Sequence, residues 1–188
     1  MSAPRQIEAD QQTLVGHFER PSPAANRWIE MMLRRFPLRP LDAELLCRLQ
    51  NDTARTFLAL GADPAALNKV VTDSPWEISA ERAPADAWGG EVLRRVDAAP
   101  LVVLYRDSPL TRLPGRHLFE LAFQLAVDHM YGHLYEFYLG SQDWGEEVAC
   151  RWQYRLLRRR GGPINRMTAY VVALTHRWHK QIPLDNYG

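Results

Sequence analysis

An apolar segment with helical spacing occupies residues 115–139, between Pro114-Gly115 and Gly140. At 3.6 residues per turn its apolar side chains lie on nearly every side of a helix: Leu118, Phe119, Leu121, Ala122, Leu125, Ala126, Leu134 and Phe137. A helix that is apolar all round is normally buried by its neighbours. We therefore predict a central helix at about 115–139, around which the rest of the chain packs.

Helical spacing and capping signals predict further helices on both sides of this segment. They are expected over about 5–19, 24–36, 42–60, from Asp63-Pro64 onward, and over 91–96, 146–160 and 164–180. Residues 72–87 are predicted to form an ordered loop. Pro100 to Tyr105 is the only strand-like run, and one strand cannot pair with itself, so we expect a short buried helix or an extended segment there. The prediction is an all-α fold, a compact multi-helix bundle in which residues 1–188 form one domain.

The charge balance argues against nucleic acid as a partner. The 23 basic and 22 acidic side chains give a net charge of +1, so the chain lacks the strong positive field that such binding needs. Cys47 and Cys150 are too few and too far apart to predict a disulfide framework. With no apolar signal in residues 1–10, we expect a cytoplasmic protein, and leave open peripheral membrane contact and a homodimer.

The central helix carries a polar stripe that predicts a metal site. His129, His133 and Glu136 project within about 60° of one another at 100° per residue. Two histidines four residues apart place their rings on the same side of adjacent turns, where they can bind one divalent cation. The alternative is that paired histidines occur by chance and that His129 simply binds an acceptor in the core.

Two histidines leave a metal ion under-coordinated, so a carboxylate is expected from elsewhere. Glu146 and Glu147 begin the helix that follows the Gly140 to Gly145 turn, and an antiparallel return would bring them back toward the histidines. Asp128 and Glu136 are nearer in sequence, as ligands or as acceptors that orient an imidazole. The alternative is that the glutamates only favour a helix N-terminus.

The stretch His129-Met-Tyr-Gly-His133 followed by Gly145-Glu146 resembles the metal motif of the ubiquinone-biosynthesis family named for the fourth Coq protein. That motif is His-Asp-x-x-His, then about a dozen residues, then Gly-Glu. Leu113-Pro114-Gly115 also resembles the family's Leu-Pro-x-Gly segment, so the resemblance covers residues 113–157. It implies a helical fold and a divalent metal, zinc or iron, bound by His129, His133 and Glu146.

The sequence departs from that motif in two ways, because it has one extra residue between His133 and Glu146 and lacks the aspartate. Met130 stands where the family has aspartate, and Asp128 points about 200° away around the helix from Met130, so it cannot simply replace that aspartate. The same methionine occupies the position of the catalytic glutamate in His-Glu-x-x-His peptidases. Without that general base, ordinary peptide hydrolysis by a zincin-like enzyme is disfavoured.

Further side chains are expected to assist at the site. Glu136, Glu147 and Tyr131 are predicted to lie beside the ligands, and Tyr131 belongs to an aromatic surface that either packs the core or lines a pocket. Arg155 and Arg158 either complement the C-terminal end of their helix or bind an anionic group.

We therefore expect a metal-dependent enzyme that acts on a hydrophobic aromatic, quinone-like or polyketide-like small molecule. His129, His133, Glu146 and Asp128 are its predicted catalytic residues. The resemblance implies a decarboxylation or hydroxylation-type step, and the missing aspartate leaves room for a non-redox isomerisation or cyclisation. The alternatives are a non-catalytic module that binds a lipid-like intermediate for partner enzymes, and a plain helical scaffold.

Overall fold

A four-stranded sheet packs with the helices of this chain. The computed structural model describes residues 13–14, 31, 33–83, 89–95, 97–142 and 144–180. The strands are β1 (Thr13–Leu14), β2 (Trp76–Arg82), β3 (Gly90–Arg95) and β4 (Ala98–Asp107). The helices are α1 (Ala43–Ala59), α2 (Pro64–Thr72), α3 (Arg116–Tyr138), α4 (Glu146–Arg160) and α5 (Pro163–Lys180), with a 3-10 turn at Leu110–Arg112.

The sheet has the strand order β1-β3-β4-β2. β3 pairs with β1 and with β4 in antiparallel fashion, whereas β2 runs parallel to β4. β4 is an interior strand, and its side chains are buried on both faces. Val102 and Leu104 join the main core, while Val103 and Tyr105 form a smaller cluster on the other face. Burial on both faces explains why this strand has a continuous apolar run instead of an alternating one.

The sheet shows that the predicted all-α class is wrong: the fold is mixed α and β. The helix predicted over 91–96 is strand β3, and the loop predicted over 72–87 contains strand β2. Their sequences, GEVLRR and WEISAER, carry charged residues at several positions, so they lack a strong apolar strand pattern. The sequence therefore indicates no partner strand for the run from Pro100 to Tyr105, whereas in the structure this run lies within β4 and pairs on both sides.

The N-terminal predictions are only partly covered by the structure. Thr13 and Leu14, within the helix predicted over 5–19, pair with Leu93 and Val92 of β3. The rest of that helix, and most of the one predicted over 24–36, lie outside the described residues.

The predicted helices from residue 42 to 72 and from 115 to 180 are confirmed, and local capping explains two of their starts. The Asp42 carboxylate accepts a hydrogen bond of 2.8 Å from the Leu45 N–H at the start of α1. Asp63 does the same for the Ala65 N–H at 2.8 Å, with Pro64 in the first turn of α2. Both satisfy amides that the helix itself leaves unpaired.

Helix α3 is the buried central helix that the sequence predicted. Its side chains Phe119, Phe123, Val127 and Leu134 are all nearly inaccessible. It packs against β3, α1, α2 and α4, so neighbours cover it on several sides. Among the described residues, none of the helices combines the length and the apolar character needed to cross a lipid bilayer.

Candidate metal centre

The site is created by a close approach of helices α3 and α4 at Gly132. A Cβ added to Gly132 would lie 2.8 Å from Ala149 Cα and 3.2 Å from the Ala149 carbonyl oxygen. Only glycine allows the two backbones to come this close. The contact therefore sets the distance between the side chains that flank it on the two helices.

Those flanking side chains form two pairs with the same spacing. His129 and His133 lie three residues before and one after Gly132, and Glu146 and Cys150 are placed in the same way around Ala149. Side chains four residues apart lie on the same helix face. One helix therefore presents two imidazoles to a carboxylate and a thiol on the other.

Two imidazole nitrogens and the two carboxylate oxygens of Glu146 converge between the helices. His129 Nε2 is 3.0 Å from Glu146 Oε2, and His133 Nε2 is 3.0 Å from Glu146 Oε1. The two Nε2 atoms are 3.1 Å apart, and their rings are nearly perpendicular, with an interplanar angle of 86°. The structure thus brings together the three residues that the sequence predicted as ligands, while their role as ligands stays a prediction.

A hydrogen bond fixes the orientation of His133. Its Nδ1 lies 2.6 Å from the Trp144 carbonyl oxygen, which can only accept, so Nδ1 carries the proton and donates. In the neutral ring, Nε2 then presents a lone pair toward Glu146. Glu146 Oε1 is buried and has no hydrogen-bond donor among the described residues. Two lone pairs at 3.0 Å repel unless a cation, either a proton or a metal ion, lies between them.

His129 contacts both residues of α4. Its Nε2 faces Glu146, and its Nδ1 lies 3.9 Å from Cys150 Sγ. Burial is the largest single influence on the pKa of His129 and lowers it. The Glu146 carboxylate and the Cys150 sulfur oppose burial and together hold the pKa well above its usual value.

Glu146 is a buried carboxylate that the histidines keep ionised. Burial is again the largest influence and raises the pKa of Glu146, but His129 and His133 outweigh it and hold that pKa well below its usual range. The residue also stands in the first turn of α4, where the helix dipole favours negative charge. A negative charge between two imidazoles attracts a cation to this point.

Cys150 was missed by the sequence analysis. Atoms of His129, Glu146 and Cys150 lie within 4.8 Å of one another, and this group could hold a metal ion. The available signal was the four-residue spacing from Glu146, which repeats the spacing of the two histidines. From the sequence, Cys150 is weighed only for a disulfide framework, because its partner His129 lies 21 residues away on another helix.

Asp128 lies apart from the histidines and belongs to an ion-pair network. Its carboxylate accepts hydrogen bonds from Thr53 Oγ1 at 2.7 Å and from Gln124 Nε2 at 3.1 Å. Arg160 also donates to both of its oxygens, with Nη2 at 2.8 Å from Oδ1, and pairs with Asp52 at 2.7 Å. Asp128 therefore connects α3 to α1 and to the end of α4, and its catalytic role stays a prediction.

The three residues predicted to assist bind other partners. Glu136 accepts a hydrogen bond of 2.8 Å from Trp152 Nε1, and Glu147 pairs with Arg151 at 3.2 Å. Tyr131 is buried against Phe57 and Trp76, and burial raises the pKa of its hydroxyl. Its ring therefore packs the core.

The two arginines predicted to contact an anion stack on aromatic rings of their own helix. The Arg155 guanidinium lies 4.6 Å from the centre of the Trp152 ring, and Arg158 lies 5.9 Å from that of Tyr154. Arg158 is exposed and Arg155 half-buried. These contacts agree with the solvated, C-terminal alternative and leave anion binding a prediction.

Met130 points away from the histidines toward the sheet. Its terminal methyl lies 3.3 Å from where a Cβ on Gly90 would be, and the residue is 6% exposed. A side chain at position 130 therefore packs between α3 and β3.

Comparison of the chain with protein-family models, with curated proteins and with solved structures finds no match.

Proposed function

We propose that this protein is a metal-dependent enzyme whose divalent ion, zinc or iron, is bound by His129, His133 and Glu146. One observation carries the proposal. The Trp144 carbonyl accepts the Nδ1 proton of His133, which leaves Nε2 directed at a buried carboxylate oxygen 3.0 Å away, with a cation required between them. Carbonyls that fix a histidine tautomer in this way are the usual partners of metal-binding imidazoles.

The spacing of the donor atoms suits a single ion. With bonds of about 2.0–2.1 Å, two ligands of a tetrahedral ion are about 3.3 Å apart. The two Nε2 atoms are 3.1 Å apart, and each lies 3.0 Å from a different oxygen of Glu146. An ion could therefore bind after movements of a few tenths of an ångström.

Three protein ligands are typical of a catalytic zinc site, which keeps a fourth position for water or substrate. A bound ion would supply a Lewis acid or, if iron, a centre that reacts with oxygen. The chain itself contributes the orientation of both imidazole rings and the ionised carboxylate of Glu146. Burial of His133 and Glu146 also keeps bulk water from competing for the ion.

For the substrate we propose a hydrophobic aromatic, quinone-like or polyketide-like molecule, on the basis of the resemblance to the Coq family. The proposed chemistry is decarboxylation or hydroxylation, or a non-redox isomerisation or cyclisation. The family's aspartate position is Met130, which faces the sheet, and Asp128 is bound by Arg160. The proposed ligand set therefore has one carboxylate, Glu146.

Metal analysis of the purified protein tests this proposal. We expect about one equivalent of tightly bound zinc or iron in the wild type, and its loss in His133→Ala and in Glu146→Gln. The matched control is His117→Ala, because His117 lies on the same helix but is exposed, three turns from His129. Metal content that survives His133→Ala contradicts the proposal. A metal-free wild type that binds hydrophobic ligands supports the non-catalytic module instead.

A further inference from the structure

Each of the two imidazoles has a neighbouring group at its Nδ1 atom. His133 Nδ1 donates to the Trp144 carbonyl at 2.6 Å, and His129 Nδ1 faces the Cys150 sulfur at 3.9 Å. In both rings Nε2 is then directed at Glu146. The Cys150 thiol therefore contacts His129 at the same ring nitrogen, Nδ1, at which the Trp144 carbonyl contacts His133.

We propose that Cys150 is a positioning residue, which holds the His129 ring through Nδ1 so that Nε2 is presented to the metal. This inference rests on the proposed function. Glu146 and His133 approach His129 at Nε2, whereas the sulfur approaches at the other nitrogen. One ion can bind only one nitrogen of a ring. For an ion bound at Nε2, the sulfur therefore contacts the ring at the nitrogen that the ion leaves free; the competing arrangement, an ion held by His129, Glu146 and Cys150, would place the sulfur on the ion.

Two other roles for this thiol fit the structure less well. The order thiol, imidazole and carboxylate also occurs in nucleophilic sites, but Cys150 is only 1% exposed, against 10% and 14% for the side chains of His129 and Glu146, so its sulfur is less accessible than the proposed metal site. A buried cysteine can also serve simply as a small apolar side chain. That role explains its burial but not its place against the Nδ1 of a ring whose other nitrogen meets a carboxylate.

Cobalt(II) is a suitable probe, because its absorption spectrum reports sulfur ligation directly. We expect the wild-type protein to bind cobalt without a thiolate-to-cobalt charge-transfer band. Cys150→Ala should weaken cobalt binding by about ten- to a hundredfold, which is the usual effect of removing a partner that orients a ligand. Cys150→Ser should lose less, since a hydroxyl can still accept from Nδ1–H. The control is Cys47→Ala, which removes the exposed cysteine and should change nothing.

Each other outcome overturns a defined part of the account. A charge-transfer band that disappears in Cys150→Ser makes Cys150 a ligand, and wild-type affinity in Cys150→Ala makes it a packing residue. If the wild type binds no cobalt, the proposed function fails separately, and the ring can still be studied without metal. ¹⁵N spectra of the histidine side chains should then show a changed His129 tautomer population in Cys150→Ala. An unchanged population refutes the positioning role.

Discussion

Replacing Gly132 with alanine should disrupt the site while leaving the protein folded. The new Cβ would lie 2.8 Å from Ala149 Cα, a backbone atom that cannot rotate away. Carbon atoms pack best at about 3.5–4.0 Å, so the two helices must separate by about 1 Å. The distances from Glu146 to the two histidines would then increase from 3.0 Å to about 4 Å.

The two consequences of this change differ in size. Overpacking costs about 1–3 kcal/mol, but alanine has a higher helix propensity than glycine by about 1 kcal/mol. The free energy of unfolding should therefore fall by only about 0–2 kcal/mol. Ligands about 4 Å apart cannot share an ion with bonds of about 2.0–2.1 Å at normal angles. Metal affinity should accordingly fall at least about tenfold, or about 1.4 kcal/mol.

Urea denaturation and metal titration of Gly132→Ala measure these two quantities on the same sample. Adding Ala149→Gly should not restore binding, because the close contact is with Ala149 Cα, which every residue has. Wild-type metal affinity in Gly132→Ala would refute the argument that this contact sets the ligand distances. Rescue by Ala149→Gly would show that the side chain, and not the backbone, limits the approach.

Three further predictions concern the surroundings of the site. Arg160→Met leaves the fully buried Asp128 carboxylate without its cation. Urea denaturation should show that the free energy of unfolding falls by about 3–5 kcal/mol, while the folded fraction binds any metal at the same site. Met130→Asp restores the family's aspartate but buries a carboxylate against the sheet. It should lower the free energy of unfolding by at least about 3 kcal/mol without improving metal affinity, and tighter metal binding would refute this placement. In the metal-free protein, the raised pKa of His129 gives stability that is fully present below about pH 6.5 and is lost as the pH rises through the pKa of the folded protein. The lowered pKa of Glu146 gives stability that is present above about pH 4.5 and is lost on acidification. Thermal melts should therefore show maximum stability between about pH 4.5 and 6.5. A melting temperature that only rises or only falls with pH would contradict the pairing of His129 with Glu146.

The helices were predictable because their signals are local. Asp42 and Asp63 cap the helices that follow them, and glycine or proline marks the boundaries of α3 and α4. The spacing of His129 and His133 is also a local property of one helix. Glu146 could be inferred because a short turn forces α4 back along α3. These features need only a few consecutive residues and the geometry of one connection.

The sheet and the thiol depend on contacts between distant segments. β4 has an obvious apolar run, but its partner strands β2 and β3 are polar enough to be read as loop and helix, and only pairing reveals them. The role of Asp128 depends on Arg160, which is 32 residues away. Cys150 meets His129 only because Gly132 lets two helices approach closely, and no local pattern announces that contact.

The central claim is that one cation binds where the two histidines and Glu146 converge. Crystals grown with zinc, with diffraction data collected on both sides of the zinc absorption edge, test it most directly. The account predicts one strong anomalous peak about 2.0–2.2 Å from His129 Nε2, from His133 Nε2 and from a Glu146 oxygen. A zinc-bound protein whose anomalous peak lies elsewhere, or well-ordered side chains with no peak among them at saturating zinc, would contradict it.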